Sequence, residues 1–166
     1  MSVAWDTTLL SRLRPGSPLE REVWERARAD DHVAVTAPTI MEVTRGLAAR
    51  AADGEVRWQR ALRWFGSFTA TGLVEVLPLD RQAAALAGRL RALHPLPPAT
   101  ARRRDGSRPD QRAGWVLDIQ IAACAWRHGV TLVTDNVRDF EALRDAIAAL
   151  LPDWSPLAVR PATPAT

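Results

Sequence analysis

Short runs of apolar and β-branched residues alternate along the chain with longer stretches in which apolar positions recur every three or four residues. "SVAW", "HVAVTAP", "LVEVLPLD" and "VTLVT" have the length and composition of strands. "TTLLSRL" opens a helical pattern that Pro15 to Pro18 interrupts, and Leu19 to Ala29 resumes it. In "TIMEVTRGLAARAA", Ile40, Val43 and Leu47 share one helical face; in "VRWQRALRWFGSF", Trp58, Leu62 and Phe65 do the same. "RQAAALAGRLRAL", "VLDIQIAACAWRHG" and "FEALRDAIAAL" complete the helices, with Gly129 as the stop of the second. Residues 95–114, rich in Pro, Gly and Arg, read as a loop, and residues 159–166 as a frayed tail beyond a domain spanning 1–158. Strands alternating with helices predict an α/β domain: a central, mostly parallel sheet with helices on both faces, because parallel strands need crossover connections.

Composition narrows the chemistry. The 166 residues suit one domain, and 47% hydrophobic with 25% charged content is that of a globular protein. No apolar run approaches the roughly 20 residues that span a bilayer, and the N-terminus lacks the pattern of a signal peptide, so no membrane association and a cytoplasmic location are expected. The single cysteine, Cys124, forbids an internal disulfide and a multi-cysteine zinc site. All 22 basic residues are arginine. Without lysine, a Walker-type phosphate loop and Schiff-base catalysis are excluded. Phosphoacceptor receivers and haloacid-dehalogenase-like phosphatases, which share an acid-rich α/β pattern, normally use lysine too. A net charge of +3 carried by arginine permits an RNA partner without demanding one.

The acids carry the candidate chemistry, and each also has a structural explanation. Asp6 ends the first strand, where it can cap the first helix. Glu42 completes a Thr39-x-x-Glu42 capping box. Asp118 stands among Trp115, Val116, Leu117, Ile119 and Ile121, so it needs a partner, a metal, a shifted pKa or a first-turn position beside a helix dipole. Asp135 and Asp139 flank the start of the last helix, which Asn136 and Asp139 can cap. Topology weighs against four coincidences. In an open parallel sheet every strand-to-helix junction lies at the carboxyl edge, so Asp6, Glu42 and the 135–139 segment share that edge. Asp118 joins them if the preceding loop crosses the same edge. Carboxylates gathered in one cleft repel unless a divalent cation neutralises them, and all-oxygen ligands suit Mg²⁺ or Mn²⁺. Such a set is the expected one for metal-dependent phosphodiester hydrolysis.

Three segments, in order, resemble the PIN-domain family, specifically a VapC-type toxin of a type II toxin–antitoxin system. "VAWDTTLLSRL" is similar to the family's first strand and Asp-Thr turn, "VAVTAPTIMEVTRGL" to its second strand and glutamate helix, and "LDIQIAACAWRHGVTLVTDNVRDFE" to its Asp-x-x-Ile-Ala helix and closing Thr-x-Asn-x-x-Asp-Phe block. The resemblance implies a PIN-like fold and an endoribonuclease that uses a metal-activated water. Asp6, Glu42, Asp118 and Asp139 are its implied catalytic and metal-holding acids, with Asp135 as a further metal ligand, and Thr134 and Asn136 orient a ligand or water from behind. Many PIN domains carry aspartate where this chain has Asn136, so the fourth acid is Asp139 or Asp135, with Asp139 preferred. The implied partners are a cognate VapB-like antitoxin, an RNA substrate and a second copy in a homodimer.

Arg102, Arg103, Arg104 and Arg108, in the loop before Asp118, are candidate phosphate contacts, as is Arg45, one turn after Glu42. Trp24, Trp58 and Trp64 fit core or interface packing. His32, His94 and His128 show no ligand spacing, and Cys124 is expected to be inert packing. Two other functions share these residues: a PIN-like nuclease of RNA maturation or of DNA, and a binding module whose acids are only structural.

Overall fold

The computed structural model describes residues 2–98 and 108–162, with backbone alone for 108–111. Its elements run β1 (Val3–Trp5), α1 (Thr7–Leu10), α2 (Pro18–Arg28), β2 (Val33–Thr36), α3 (Ala37–Ala52), α4 (Val56–Thr69), β3 (Val74–Leu77), α5 (Arg81–Leu93), α6 (Arg108–Arg127), β4 (Thr131–Thr134), α7 (Val137–Leu150) and β5 (Val159–Pro161). The five strands form one sheet in the order β3-β2-β1-β4-β5, every pair parallel. The expected α/β architecture, with helices packed on both faces, is what forms.

Alternation along the short strands sorts the core into two layers. Ala4, Ala34 and Leu132 face the side covered by α5, α6 and α7, where Leu86, Leu90, Ile119, Phe140 and Leu143 are buried. Val3, Trp5, Val33, Val35 and Val133 face the opposite side, packed with Leu9, Leu10, Val23, Phe65 and Phe68 from α1, α2 and α4. Small residues meet on the first side: Ala4 and Ala34 of the sheet and Ala122, Ala123 and Ala125 of α6 are all buried in one cluster. Without bulky side chains between them, helix and sheet approach closely, which brings α6 against the sheet.

The order of the strands places the cleft. From β1 the chain moves outward to β2 and β3, then returns to the other side of β1 as β4 and β5. The gap between β1 and β4 is therefore the point where the winding reverses, and the carboxyl ends of those strands diverge there.

Four local expectations are corrected. The loop before Asp118 is shorter than 95–114: α6 begins at Arg108, with Pro109 in a first turn that needs no amide donor there. Asp118 consequently lies in the middle of α6 and out of reach of the dipole at its start. The Thr39-x-x-Glu42 capping box does not form. Thr36 caps α3 instead, its hydroxyl accepting from Thr39 N at 3.2 Å, so Glu42 has no capping task. Residues 159–161, assigned to the tail, add an edge strand to β4, with register Leu132 to Val159. Gly129 does end α6: it takes φ 65°, and Val130 N returns to Ala125 O at 3.1 Å.

Candidate active site

Asp6 leaves β1 at the reversal point and becomes the N-cap of α1. Its Oδ1 accepts from Thr8 N at 3.0 Å, Leu9 N at 3.2 Å and the Thr8 hydroxyl at 2.7 Å. Its Oδ2 accepts from Thr134 Oγ1, at the end of β4, at 2.6 Å. The capping explanation is thus correct, yet it covers only one of the two oxygens. Asp6 is 2% exposed, and every one of these partners is neutral. Burial pushes its carboxyl above the ordinary range, and the hydrogen bonds from Thr134, Thr8 and Leu9 oppose that rise.

Thr134 passes the contact onward. Its hydroxyl donates to Asp6 and accepts from Asn136 N at 2.8 Å. Asn136 starts α7, but its side chain makes no capping hydrogen bond. The amide Nδ2 instead donates to Asp139 Oδ2 at 3.0 Å and faces Asp118 Oδ2 at 3.5 Å, the limit of a hydrogen bond. Asp139 is buried, 3% exposed, in the first turn of α7, and Asp118 is half-buried on α6. Asp6, Thr134, Asn136, Asp139 and Asp118 therefore form one connected group drawn from three regions of sequence. An amide fits between two carboxylates because it offers them a donor where a third carboxylate would repel both.

Glu42 and Asp135 are held differently. Glu42, half-buried on α3, receives Arg45 on both oxygens: Nε donates to Oε2 at 2.8 Å and a terminal nitrogen to Oε1 at 2.6 Å. Arg45, expected to meet phosphate, is engaged with that acid. Asp135 is exposed and ion-pairs with Arg12, in the turn after α1. Among the described residues, no three Asp, Glu, His or Cys side chains already stand close enough together to grip an ion. The donor set is nevertheless that of a hard cation, since oxygen is the only ligand atom Asp6, Glu42, Asp118 and Asp139 can offer. Of these, Asp6 is buried with only dipoles to balance its charge, the situation a divalent cation relieves.

Arg102, Arg103 and Arg104 lie outside the described residues. Arg108 is the first residue of α6, and its side chain also lies outside them. Cys124 is fully buried, donates to Pro78 O at 3.1 Å and has its thiol pushed up to about 11, first by burial and then by Asp80, so it is inert as a nucleophile.

Three further residues contribute to the site. Thr8 donates to Asp6 and accepts from Asp135 N at 3.3 Å, tying the β1 and β4 junctions together. Arg12 ion-pairs with Asp135. Thr7 keeps a buried hydroxyl without a hydrogen-bond partner among the described residues and lines a groove with Glu42. The Asp-Thr-Thr run was a visible signal for the two threonines; nothing local marks Arg12.

That groove, about 420 Å³, runs between α1, α3 and α4. Leu10, Leu13, Leu47, Trp58, Trp64 and Phe65 form its apolar wall, with Arg14, Arg50 and Arg57 along it. The guanidinium groups of Arg50 and Arg57 lie 4.7 and 5.0 Å from the Trp58 ring. No helix among the described residues is long and apolar enough to cross a membrane.

Comparison with solved structures finds the same architecture elsewhere. VapBC2 from Rickettsia felis, bound to a DNA fragment from its promoter, is similar with a TM-score of 0.60 at 13% identity, over 98% of this chain and 100% of that one. DNA-bound VapBC from Salmonella typhimurium gives 0.58 at 20% identity, over 97% and 98%. VapBC-5 from Mycobacterium tuberculosis, of a toxin–antitoxin family, gives 0.51 at 25% identity, over 96% of each chain. No curated protein matches in sequence. The family model of the PIN domain matches residues 3–146, from β1 into α7 and across the whole acid group. The chain belongs to the PIN domain family.

Proposed function

We propose that the chain is a divalent-cation-dependent endoribonuclease acting as the toxin of a VapBC-type pair. The observation that carries this reading is the hydrogen-bonded group of Asp6, Thr134, Asn136, Asp139 and Asp118 at the reversal point of the sheet. Two buried carboxylates, Asp6 and Asp139, and the half-buried Asp118, linked through Thr134 and Asn136 on a PIN domain, have no structural need for one another. They make sense as ligands.

Asp6, Glu42, Asp118 and Asp139 would hold Mg²⁺ or Mn²⁺, and Asp139 rather than Asp135 supplies the fourth acid, since Arg12 engages Asp135. When bound, such a cation supplies charge neutralisation and an acidified water for hydrolysis of an RNA phosphodiester bond. The chain's own part is positioning. Thr134 and the start of α1 fix both oxygens of Asp6, and Asn136 keeps Asp118 and Asp139 apart but facing it. Arg45, released from Glu42, is a donor for substrate phosphate, with Arg102, Arg103, Arg104 and Arg108 as further phosphate contacts.

The partner is a VapB-like antitoxin. The apolar groove beside Glu42 offers a seat for an amphipathic segment, with arginines along it that favour acidic side chains. A cytoplasmic homodimer completes the proposal. Tightly controlled expression of the wild type and of Asp6→Asn tests it. The wild type is expected to arrest growth and the variant to leave it normal; equal growth with intact RNA in both contradicts it.

A further inference from the structure

The flank formed by α5 and α6 carries a feature that the acid site does not use. Trp154 is the most exposed large apolar side chain among the described residues, at 64%. It is nonetheless fixed in place. Trp154 N donates to Leu151 O at 3.1 Å, and its ring meets Trp126 edge-on, with centroids 5.7 Å apart and planes at 61°. Trp126 Nε1 is itself anchored on Ser155 O at 3.1 Å. The two indoles border a hollow of about 370 Å³ whose wall includes Leu86, Arg89, Arg127 and Leu151. Among the described residues no carboxylate lines it; Asp153 precedes Trp154 but is not part of the lining, and Asp80 is paired with Arg127 at 3.0 Å.

The hollow runs along a basic strip of helix. α5 carries Arg81, Arg89 and Arg91, all exposed, and no acid anywhere along it; Gln82, Ala85, Leu86 and Arg89 line the hollow, whereas Arg91 borders a different one against α6. At the start of α5, Asp80 meets Arg127 near the end of α6. At its finish, His94 O accepts from Trp115 Nε1 at 2.7 Å, three residues before Asp118. The 13 residues of α5, about 20 Å of helix, thus lead from the hollow toward the acid group. An exposed aromatic ring beside Arg89, on a helix that carries arginines and no acid, suits a base with its phosphate.

We propose that this strip is a second contact for the substrate, in which a base of single-stranded RNA stacks on Trp154 while Arg89, on the wall of the same hollow, meets its phosphate. The inference rests on the ribonuclease reading and adds to it: RNA extending beyond the cleavage site is held along α5. The test uses the full chain in EDTA, so that nothing is cleaved, and follows binding of a single-stranded RNA 30-mer and of a hexamer by tryptophan fluorescence and by filter retention. Trp154→Ala is expected to weaken 30-mer binding about tenfold, on the scale of losing one stacked base, with the hexamer unaffected. Trp154→Phe should restore most of that loss, and Arg89→Glu should weaken the 30-mer and flatten its salt dependence. Wild-type affinity for the 30-mer in both Trp154→Ala and Arg89→Glu overturns the proposal. So does unchanged RNA affinity with an altered oligomeric state or antitoxin affinity, which makes the hollow a protein-docking site. If the wild type cleaves RNA in Mn²⁺ while these variants bind normally, only the strip is lost. If the wild type neither binds nor cleaves any RNA, the ribonuclease reading falls with it.

Discussion

Thr134 Oγ1 donates to Asp6 Oδ2 at 2.6 Å, joining two residues 128 positions apart across the reversal point of the sheet. The same hydroxyl accepts from Asn136 N, so one buried side chain aligns the first acid with the amide that faces two others. Its position at the last residue of β4, with β4 in register beside β1, makes the contact a product of strand pairing.

Thr134→Val removes that hydroxyl while keeping its shape. Asp6 then loses its hold on one oxygen and Asn136 N loses its acceptor. The expected result is a 10- to 100-fold loss of RNA cleavage or cation affinity, roughly the cost of removing a group that orients a ligand. Stability should fall by about 1–3 kcal/mol for the buried groups left unsatisfied. Thr134→Ser should keep most of both. Kinetics and denaturant unfolding of the two variants check this; wild-type activity in Thr134→Val would remove Thr134 from the site.

Asp6→Asn separates function from stability through pH. Burial raises the folded carboxyl above its ordinary value, so the folded chain binds that proton more tightly than the unfolded chain does. The resulting stabilisation is present at low pH and is lost as pH rises past the ordinary carboxylate value and through the raised one. At neutral pH the charged Asp6 therefore costs stability, and the neutral amide avoids that cost. The variant should be inactive yet melt higher at pH 7, by roughly 2–4 °C for each 1 kcal/mol gained. Melting curves from pH 3 to neutrality should show the gap between variant and wild type widening in the variant's favour. A gap that narrows with rising pH contradicts the assignment.

Asn136→Asp tests the amide between the carboxylates. A third negative group facing Asp118 and Asp139 should lower the melting temperature in EDTA, and Mn²⁺ should raise it more than in the wild type, because the added charge is relieved only when a cation binds. Equal Mn²⁺ shifts in both proteins would mean that Asn136 is remote from the ion.

Trp58→Ala tests the groove. Stripping the ring that Arg50 and Arg57 flank should weaken the antitoxin complex by about 2 kcal/mol, the scale of an interface hot spot, while RNA cleavage by the free chain is unchanged. Co-expression of the antitoxin should then fail to restore growth. Full rescue would place the partner elsewhere.

What was legible in the sequence was local or periodic. The helix of Gly129, the cap at Asp6 and the strand "VTLVT" each follow from a few neighbouring residues, and parallel topology then predicts which junctions share an edge. Errors arose where two local signals competed. Thr36 and Thr39 both offer a capping hydroxyl ahead of Glu42, and because α3 starts directly after β2, Thr36 takes the cap and Thr39 falls in the first turn. Pro109 looked like loop punctuation, yet a proline is equally at home in a first helical turn, which moved Asp118 from a helix start to its middle. β5 has three residues and becomes a strand only because β4 offers a free edge. The pairing of Arg12 with Asp135 is a meeting of side chains on two connections far apart in sequence, and no spacing announces it.

If Asp6, Asp118 and Asp139 are ligands and not merely a polar network, cleavage depends both on a divalent cation and on these carboxylates. Purified wild type, Asp6→Asn and Asp139→Asn should be incubated with total RNA in Mg²⁺, in Mn²⁺ and in EDTA, and the cleavage products resolved. The expected result is discrete cleavage by the wild type with either cation, none in EDTA, and loss of at least a hundredfold in both variants although both remain folded. Cleavage that persists in EDTA, or variants as active as the wild type, would contradict it.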